Sequence, residues 1–132
     1  MKKITDALPI ALLVLLYVYA SVSKLADTGT FRGQLYNQAF PHEMAALLFY
    51  ALPATELGTV ALLLFSKTER YGLLLSLFLL LAFTDYIALV LGHFFPRVPC
   101  SCGGILSHMG WKTHLLFNIG CLAINGYALR PK

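Results

Sequence analysis

The sequence has few charged residues. Asp, Glu, Lys and Arg make up 12% of the 132 residues, while 58% are hydrophobic. A typical soluble domain is about 25% charged. So few charges cannot cover a water-exposed surface, which excludes an ordinary soluble domain and favours one integral membrane domain over residues 1–132. Acidic residues are the scarcer kind, six against ten basic ones, giving a net charge of +4. Membrane orientation accounts for that excess, and we predict no nucleic-acid partner.

The sequence also lacks internal repeats, low-complexity tracts and an evident signal-peptide cleavage site. Its basic start is followed by an apolar run, as in a signal peptide, but the run is as long as a membrane span. Ala20 and Val22 form only a poor cleavage site. We therefore expect this run to be retained as a first helix.

Four apolar segments follow one another along the chain, over about residues 8–25, 44–65, 71–93 and 111–129. An α-helix needs about 20 residues to cross the hydrocarbon, and lipid requires every backbone group to be satisfied internally. The sequence thus predicts an all-α integral membrane protein with a bundle of four transmembrane helices. Pro53 and Glu56 interrupt the second segment.

Residues 26–43 connect the first two predicted spans. Phe31, Leu35 and Tyr36 recur there at helical intervals, with polar residues between them. This pattern predicts a short interfacial helix.

Basic residues indicate the orientation. A cytoplasmic N-terminus leaves six basic residues inside and four outside, and the inside segments are short, where the positive-inside rule counts most. The inside group is Lys2, Lys3, Lys67, Arg70, Arg130 and Lys132, and the outside group is Lys24, Arg32, Arg97 and Lys112. We predict a multi-pass protein of the bacterial inner (cytoplasmic) membrane, with both termini cytoplasmic and residues 94–110 facing the periplasm.

Two cysteines, Cys100 and Cys102, lie one residue apart in that periplasmic segment. Disulfides usually join Cα atoms about 4.4–6.8 Å apart, near the limit for this spacing, so a bond here is strained and easily exchanged. Pro99 disfavours helical geometry, and Gly103 and Gly104 allow a sharp turn and the approach of a partner's sulfur. The pattern predicts a redox-active dithiol, with these three residues supporting its loop.

Two other interpretations of the cysteine pair stay open. One is a purely structural disulfide in a non-catalytic subunit or scaffold. The other is metal handling with His93 and His108, although Cys-x-Cys is shorter than the usual zinc spacing, so we predict no metal site. Cys121, within the fourth span, is expected to pack as a small hydrophobic residue.

Several polar residues fall within or beside the predicted spans. Glu56 and Asp85 lie near span centres, where a charge costs about 2.5–3.5 kcal/mol, so both are expected to face the bundle interior. They are either proton-handling or quinone-facing groups, which makes a quinone a candidate cofactor, or members of interhelical hydrogen bonds. Candidate partners for such bonds are Thr55, Thr84, Tyr86 and Asn118.

Lys24 and Asp27 are three residues apart at the end of the first span. This spacing puts them on one helix face, where they could form an ion pair at the interface. The alternative is that Lys24 extends its ammonium group to the interface by itself.

Taken together, these residues resemble the MauE-type, DoxX-like family of small membrane proteins associated with redox maturation. The matching features are residues 23–27, Phe31, 52–53, 56–58, 83–86, 100–104, Trp111 and Asn118. The resemblance implies four transmembrane helices, a Cys-x-Cys motif before the last, and a role in disulfide formation. DoxX-like relatives further imply quinone-coupled sulfur oxidation. The family motif often reads Cys-x-Cys-Phe-Gly, and Gly103 replaces its aromatic residue here.

The sequence therefore predicts a membrane-embedded thiol–disulfide oxidoreductase, or an accessory factor, that supports disulfide formation or relays electrons. The predicted partner is a periplasmic thioredoxin-like or cysteine-rich protein. The protein itself is expected to lie in membrane lipid, as part of a membrane complex or oligomer.

Overall fold

The computed structural model describes residues 4–38, 41–92 and 111–131, and all regular structure in these ranges is helical. The helices are α1 (Ile4–Ala26), α2 (Thr28–Tyr36), α3 (His42–Leu64), α4 (Glu69–Leu91) and α5 (Trp111–Leu129). The all-α prediction is confirmed. The short helix predicted between the first two spans is present as α2.

Three helices, α1, α3 and α4, are each 23 residues long and apolar enough to cross a membrane. Large apolar side chains also cover the outside of the bundle, including Leu15, Leu47 and Phe78, each about two-thirds exposed. Soluble proteins rarely leave so much apolar surface open to water. The chain is a membrane protein, and the residues that the structure describes contain three apolar spans. The fourth predicted span corresponds to α5, which has 19 residues and is not among these three, so it remains a prediction.

Local side-chain bonds explain where several helices begin and end. Asp27 separates α1 from α2 and caps α2, since its Oδ1 accepts a hydrogen bond from Thr30 N at 3.1 Å. Proline at position 41 precedes α3, a position where its missing N–H costs nothing. Beyond α3, Thr68 Oγ1 donates to the Leu62 carbonyl at 2.8 Å and satisfies one of the free carbonyls of the last turn.

The expected interruption at Pro53 does not end a helix, because α3 continues through it. Proline has no N–H to donate to the carbonyl four residues earlier, and membrane helices tolerate this loss when neighbouring helices pack around the site. Pro53 is itself buried.

A turn of four residues, 65–68, returns the chain from α3 to α4. The two helices approach closely just beyond it. A β-carbon at Gly72 would lie 3.0 Å from Leu62 Cβ, Leu63 Cγ and the Leu63 backbone nitrogen. The lack of a side chain at Gly72 therefore sets the spacing of α3 and α4, as small residues do in membrane bundles.

The four long helices alternate in direction. Asp6 at the start of α1 bonds Arg130 just after α5, and Asn125 near the end of α5 bonds the Leu73 carbonyl near the start of α4. We call this the Arg130 end, and it includes the turn 65–68. The opposite, Lys24 end holds the end of α1, all of α2, the start of α3, the end of α4 and the start of α5.

Two apolar clusters form the core. The larger is shared by α1, α3, α4 and α5 and consists of Ile10, Leu13, Tyr17, Val60, Leu63, Leu73, Leu79, Leu80, Cys121 and Ala128. The smaller lies at the Lys24 end, where α2 packs on α3, and consists of Phe31, Leu35, Ala45 and Leu52. The smaller cluster covers the polar site described next.

Candidate functional site

The predicted redox loop lies outside the part of the chain that the structure describes. Cys100 and Cys102, with Pro99, Gly103 and Gly104, lie outside the described residues, as do His93 and His108. The described helices fix only where this segment begins and ends, since α4 stops at Leu91 and α5 starts at Trp111, both at the Lys24 end.

Buried polar side chains form the site that the structure does describe. Its centre is an ion pair between α1 and α3, in which Lys24 Nζ lies 3.1 Å from Glu56 Oε2. The Lys24 side chain is 11% exposed and that of Glu56 3% exposed. An unpaired charge at such depth is costly, and the pairing offsets part of that cost for both groups.

The direction of the Lys24 side chain explains how the pair forms. Side chains on a helix tilt toward its N-terminus, and Lys24 Nζ also donates to the Ala20 carbonyl, one turn back, at 3.3 Å. The ammonium thus lies deeper in the bundle than the Lys24 backbone. Lys24 does not extend outward to the interface, nor does it pair with Asp27, which instead caps α2. The structure corrects both expectations.

Helix α2 closes the Lys24 end above this pair. The Phe31 ring lies with its centroid 5.8 Å from Lys24 Nζ and stacks on Phe49 of α3 at 5.5 Å. A cation held near an aromatic ring in a low-dielectric site gains about 0.5–2 kcal/mol. The far end of α2 is held by the Tyr86 hydroxyl of α4, which lies 2.9 Å from Gln38 Oε1 and donates to it. The ion pair is therefore covered by aromatic side chains.

The Glu56 carboxylate is satisfied on one side only. Oε2 accepts from Lys24, whereas Oε1 is buried and has no hydrogen-bond partner within the part of the chain that the structure describes. An unpaired buried polar atom of this kind costs about 1–3 kcal/mol, and more when it carries charge.

Further polar contacts lie inside the bundle, between the ion pair and the Arg130 end. The Tyr17 hydroxyl lies 2.8 Å from Ser76 Oγ, which joins α1 to α4, and Ser21 Oγ donates to the Tyr17 carbonyl at 2.9 Å. Asn125 Nδ2 donates to the Leu73 carbonyl at 3.1 Å, joining α5 to α4. Membrane helices associate through such interhelical bonds because lipid offers no competing partners.

At the Arg130 end, an ion pair joins the first turn of α1 to the residue that follows α5. Arg130 Nη2 lies 2.7 Å from Asp6 Oδ1, and its guanidinium lies 3.9 Å from the centroid of the Tyr127 ring. Both side chains are partly exposed, at 33% and 18%. This pair has the exposure expected of a structural contact near an interface.

The structure brings only part of the predicted polar set together. Glu56 is buried and paired as expected, and Asn118 is also buried, but the Glu56 partner is Lys24 and none of the four candidates named from the sequence. For Asp85 the structure differs from the expectation, because its side chain is exposed on α4 and does not face the interior. Asp27 is exposed in the cap of α2.

Three polar residues that join helices inside the bundle were not predicted from the sequence, namely Tyr17, Ser76 and Asn125. Each is a hydrogen-bonding residue inside a largely apolar helix, and that was the available signal. All three are buried between helices in the structure.

The remaining cysteine, Cys121, is a buried free thiol on α5 within the larger apolar cluster. Among residues 4–38, 41–92 and 111–131, no group of three or more His, Cys, Asp or Glu side chains is placed to hold a metal ion. Cys121 is the single cysteine in these ranges, and the redox-active dithiol at Cys100 and Cys102 stays a prediction.

A family model described as methylamine utilisation protein MauE matches residues 1–130. Neither the curated proteins nor the solved structures contain a match to the chain.

Proposed function

Because this chain belongs to the MauE family, we propose that it is a membrane-embedded thiol–disulfide exchange protein whose working groups are Cys100 and Cys102. The observation that carries the proposal is the placement of two thiols one residue apart, between two long helices and beside two glycines. Such a close pair forms an easily exchanged disulfide, whereas a structural bond usually closes a longer loop.

The chemistry needs only the two cysteines and a partner. A thiolate of one protein attacks a sulfur of the other protein's disulfide, that S–S bond breaks, and a mixed disulfide forms with release of one thiolate. The second thiolate of the dithiol then attacks the mixed disulfide. The original dithiol leaves oxidised and the other protein leaves reduced, by two electrons. Thioredoxin-like and cysteine-rich proteins are the partner classes able to complete this exchange.

The proposal includes an orientation and a fourth span. We place the Arg130 end in the cytoplasm, because Lys67 and Arg70 lie there together with Arg130, and the Lys24 end in the periplasm of a bacterial inner membrane. In this arrangement α5 crosses the membrane as the fourth helix of a single domain. The cysteine segment then lies on the oxidising side, where disulfides persist.

Trapping of a mixed disulfide tests the exchange. Cys100→Ser and Cys102→Ser are each expressed and separated on non-reducing gels, with Cys121→Ser as the matched control because that thiol is buried in α5. We expect one of the two single variants to accumulate a reducible adduct with a second protein. The control should resemble the unsubstituted chain. If the Cys100→Ser/Cys102→Ser double variant keeps the full function of the unsubstituted protein, thiol exchange is refuted and the structural interpretation of the loop remains.

Alkylation in intact cells tests the sidedness. A membrane-impermeant maleimide should reach Cys100 and Cys102 after mild reduction. It should fail to reach a cysteine introduced by Ser66→Cys, which lies in the exposed turn at the Arg130 end. Labelling of the Ser66→Cys site without labelling of the native pair would place the pair in the cytoplasm and refute the orientation. Metal analysis of the purified protein checks the metal-handling alternative.

A further inference from the structure

The buried carboxylate of Glu56 has one oxygen without a hydrogen bond. Oε2 is 3.1 Å from Lys24 Nζ, but Oε1 has no donor among the described residues although it is fully enclosed. A carboxylate in a low-dielectric site is stabilised by several donors, and leaving one oxygen unpaired there is unfavourable. The arrangement calls for a partner that the surrounding side chains do not supply.

The enclosure of Oε1 limits what that partner is. A bound water needs a cavity of about 10–15 Å³ or more and two to four polar neighbours, and an organic ligand needs more space still. Oε1 has neither accessible surface nor a hydrogen-bonding neighbour among the described residues. A proton occupies no additional volume, and it converts the half-satisfied anion into a neutral carboxyl group.

The charged and titratable groups around Glu56 come from few elements. On α1 they are Lys24, which bonds it, and Tyr17, which is close enough to interact electrostatically. On α2, the guanidinium of Arg32 lies over the Phe49 ring, 5.8 Å from its centroid. On α4, Asp85 is exposed. Within the described ranges, Lys24 is therefore the one charge that bonds Glu56.

We propose that Glu56 Oε1 is a proton-binding site inside the membrane, and that proton binding there releases Lys24 and loosens α2. A proton from the aqueous side adds to Oε1, so the carboxyl group becomes neutral while the Lys24 ammonium keeps its charge. The ion pair is then lost. Lys24 lies two residues before the end of α1, so its ammonium can turn outward to the interface.

The release of Lys24 acts on α2 through Phe31. This ring faces the ammonium in the paired state and loses that contact when Lys24 turns away. Because this cation–π contact is largely desolvated, its loss should raise an opening equilibrium by about two- to thirtyfold. The proposal does not depend on thiol exchange at Cys100 and Cys102 and stands or falls separately.

Infrared spectroscopy of the full chain in liposomes tests proton binding directly. A protonated carboxyl group has a carbonyl stretching band that a carboxylate lacks, so acidification should produce a band that is absent from Glu56→Gln. The matched control, Asp85→Asn, removes an exposed carboxyl group on α4 and should keep the Glu56 band. Absence of the band at every pH, or its full retention in Glu56→Gln, would overturn the proposal.

Hydrogen exchange followed by mass spectrometry tests the coupling to α2. After correction for intrinsic exchange, amides of residues 28–36 should exchange about two- to thirtyfold faster in Glu56→Gln than in the unsubstituted chain at neutral pH. The unsubstituted chain should reach the same rate on acidification, and Asp85→Asn should follow the unsubstituted chain. Equal exchange of α2 in all three proteins would refute the release of α2.

A second variant covers the case in which Glu56→Gln does not assemble. Lys24→Met removes the cation that stabilises the carboxylate, so the infrared band should persist at higher pH than in the unsubstituted protein. Exchange in α2 should already be fast at neutral pH, and acidification should not raise it further until the Asp27 cap is protonated, because no ammonium remains to be released. An unchanged infrared titration in Lys24→Met would contradict the pairing on which the proposal rests.

Discussion

The ion pair between Lys24 and Glu56 leads to a prediction about stability. Lys24→Met leaves a buried carboxylate without a cation, at 3% exposure. An isolated charge near the centre of a membrane helix costs about 2.5–3.5 kcal/mol, which sets the expected loss at neutral pH. Glu56→Gln should cost less, because it leaves no buried carboxylate and the released ammonium can turn outward to the interface.

The double variant Lys24→Met/Glu56→Gln separates the pairing from the loss of each side chain. It buries no charge, and replacing a whole buried ion pair is often close to neutral. We therefore expect it to be more stable than the sum of the single losses predicts, by a coupling free energy of about 1–3 kcal/mol.

The free energy of unfolding is measured for the unsubstituted chain, the two single variants and the double variant. Each protein is unfolded by sodium dodecyl sulfate in mixed dodecylmaltoside micelles and followed by far-ultraviolet circular dichroism. Asp85→Asn is the control, and its exposed side chain should change the free energy of unfolding by no more than about 0.5 kcal/mol. If the two single losses add to give the double loss within about 0.5 kcal/mol, the pair does not contribute as a unit, and the reasoning is refuted.

The helix contacts give three further predictions. Gly72→Ala should be less stable than Gly120→Ala by about 1–3 kcal/mol in the same unfolding assay. Both substitutions gain helix propensity, but of the two only the β-carbon at Gly72 would meet the neighbouring helix, so equal stabilities would contradict the close approach. Asp6→Asn should lower the free energy of unfolding by about 0.2–1 kcal/mol, because it removes the partly exposed ion pair with Arg130. Added salt should reduce this difference in stability between the variant and the unsubstituted chain, and a difference insensitive to salt would argue against an ionic contact. Hydrogen bonds from the Thr30 side chain and backbone lower the pKa of Asp27, so the stability that this carboxylate gives α2 is present above its unfolded pKa and lost as pH falls through the lower folded pKa. In a Glu56→Gln background, where Lys24 is already released, α2 hydrogen exchange should still rise in acid, and adding Asp27→Asn should remove that rise; an identical rise with and without Asp27→Asn would exclude the cap as its cause.

The helices could be predicted from the sequence because length and hydropathy are local properties. The predicted second span, residues 44–65, differs from α3 by two residues at its start and one at its end. Residues 26–43 likewise contain α2, since Phe31 and Leu35 at helical spacing mark the face that is buried. The continuation of α3 through Pro53 was not predictable, because it depends on the packing of neighbouring helices.

The partners of the polar residues could not be predicted from the sequence. A membrane helix that is apolar all round does not reveal which face points inward, and Asp85 is exposed although its position in the span resembles that of Glu56. Lys24 also has a local candidate partner in Asp27, so its bond to a residue 32 positions away depends on how α1 and α3 are offset. That offset is a property of the assembled bundle.

The bond between Asp6 and Arg130 has a consequence for how the protein is made. These two residues are separated by 124 positions, so the first helix enters the bilayer long before its acidic residue can meet the arginine that follows the last helix. During synthesis Lys24 can meet Glu56 once α3 has emerged, whereas Asp6 can meet Arg130 only after α5 has been made. Assembly of the bundle is accordingly completed only after α5 has been made, and a ribosome-stalled chain lacking α5 should retain an open seam along α1 and α4.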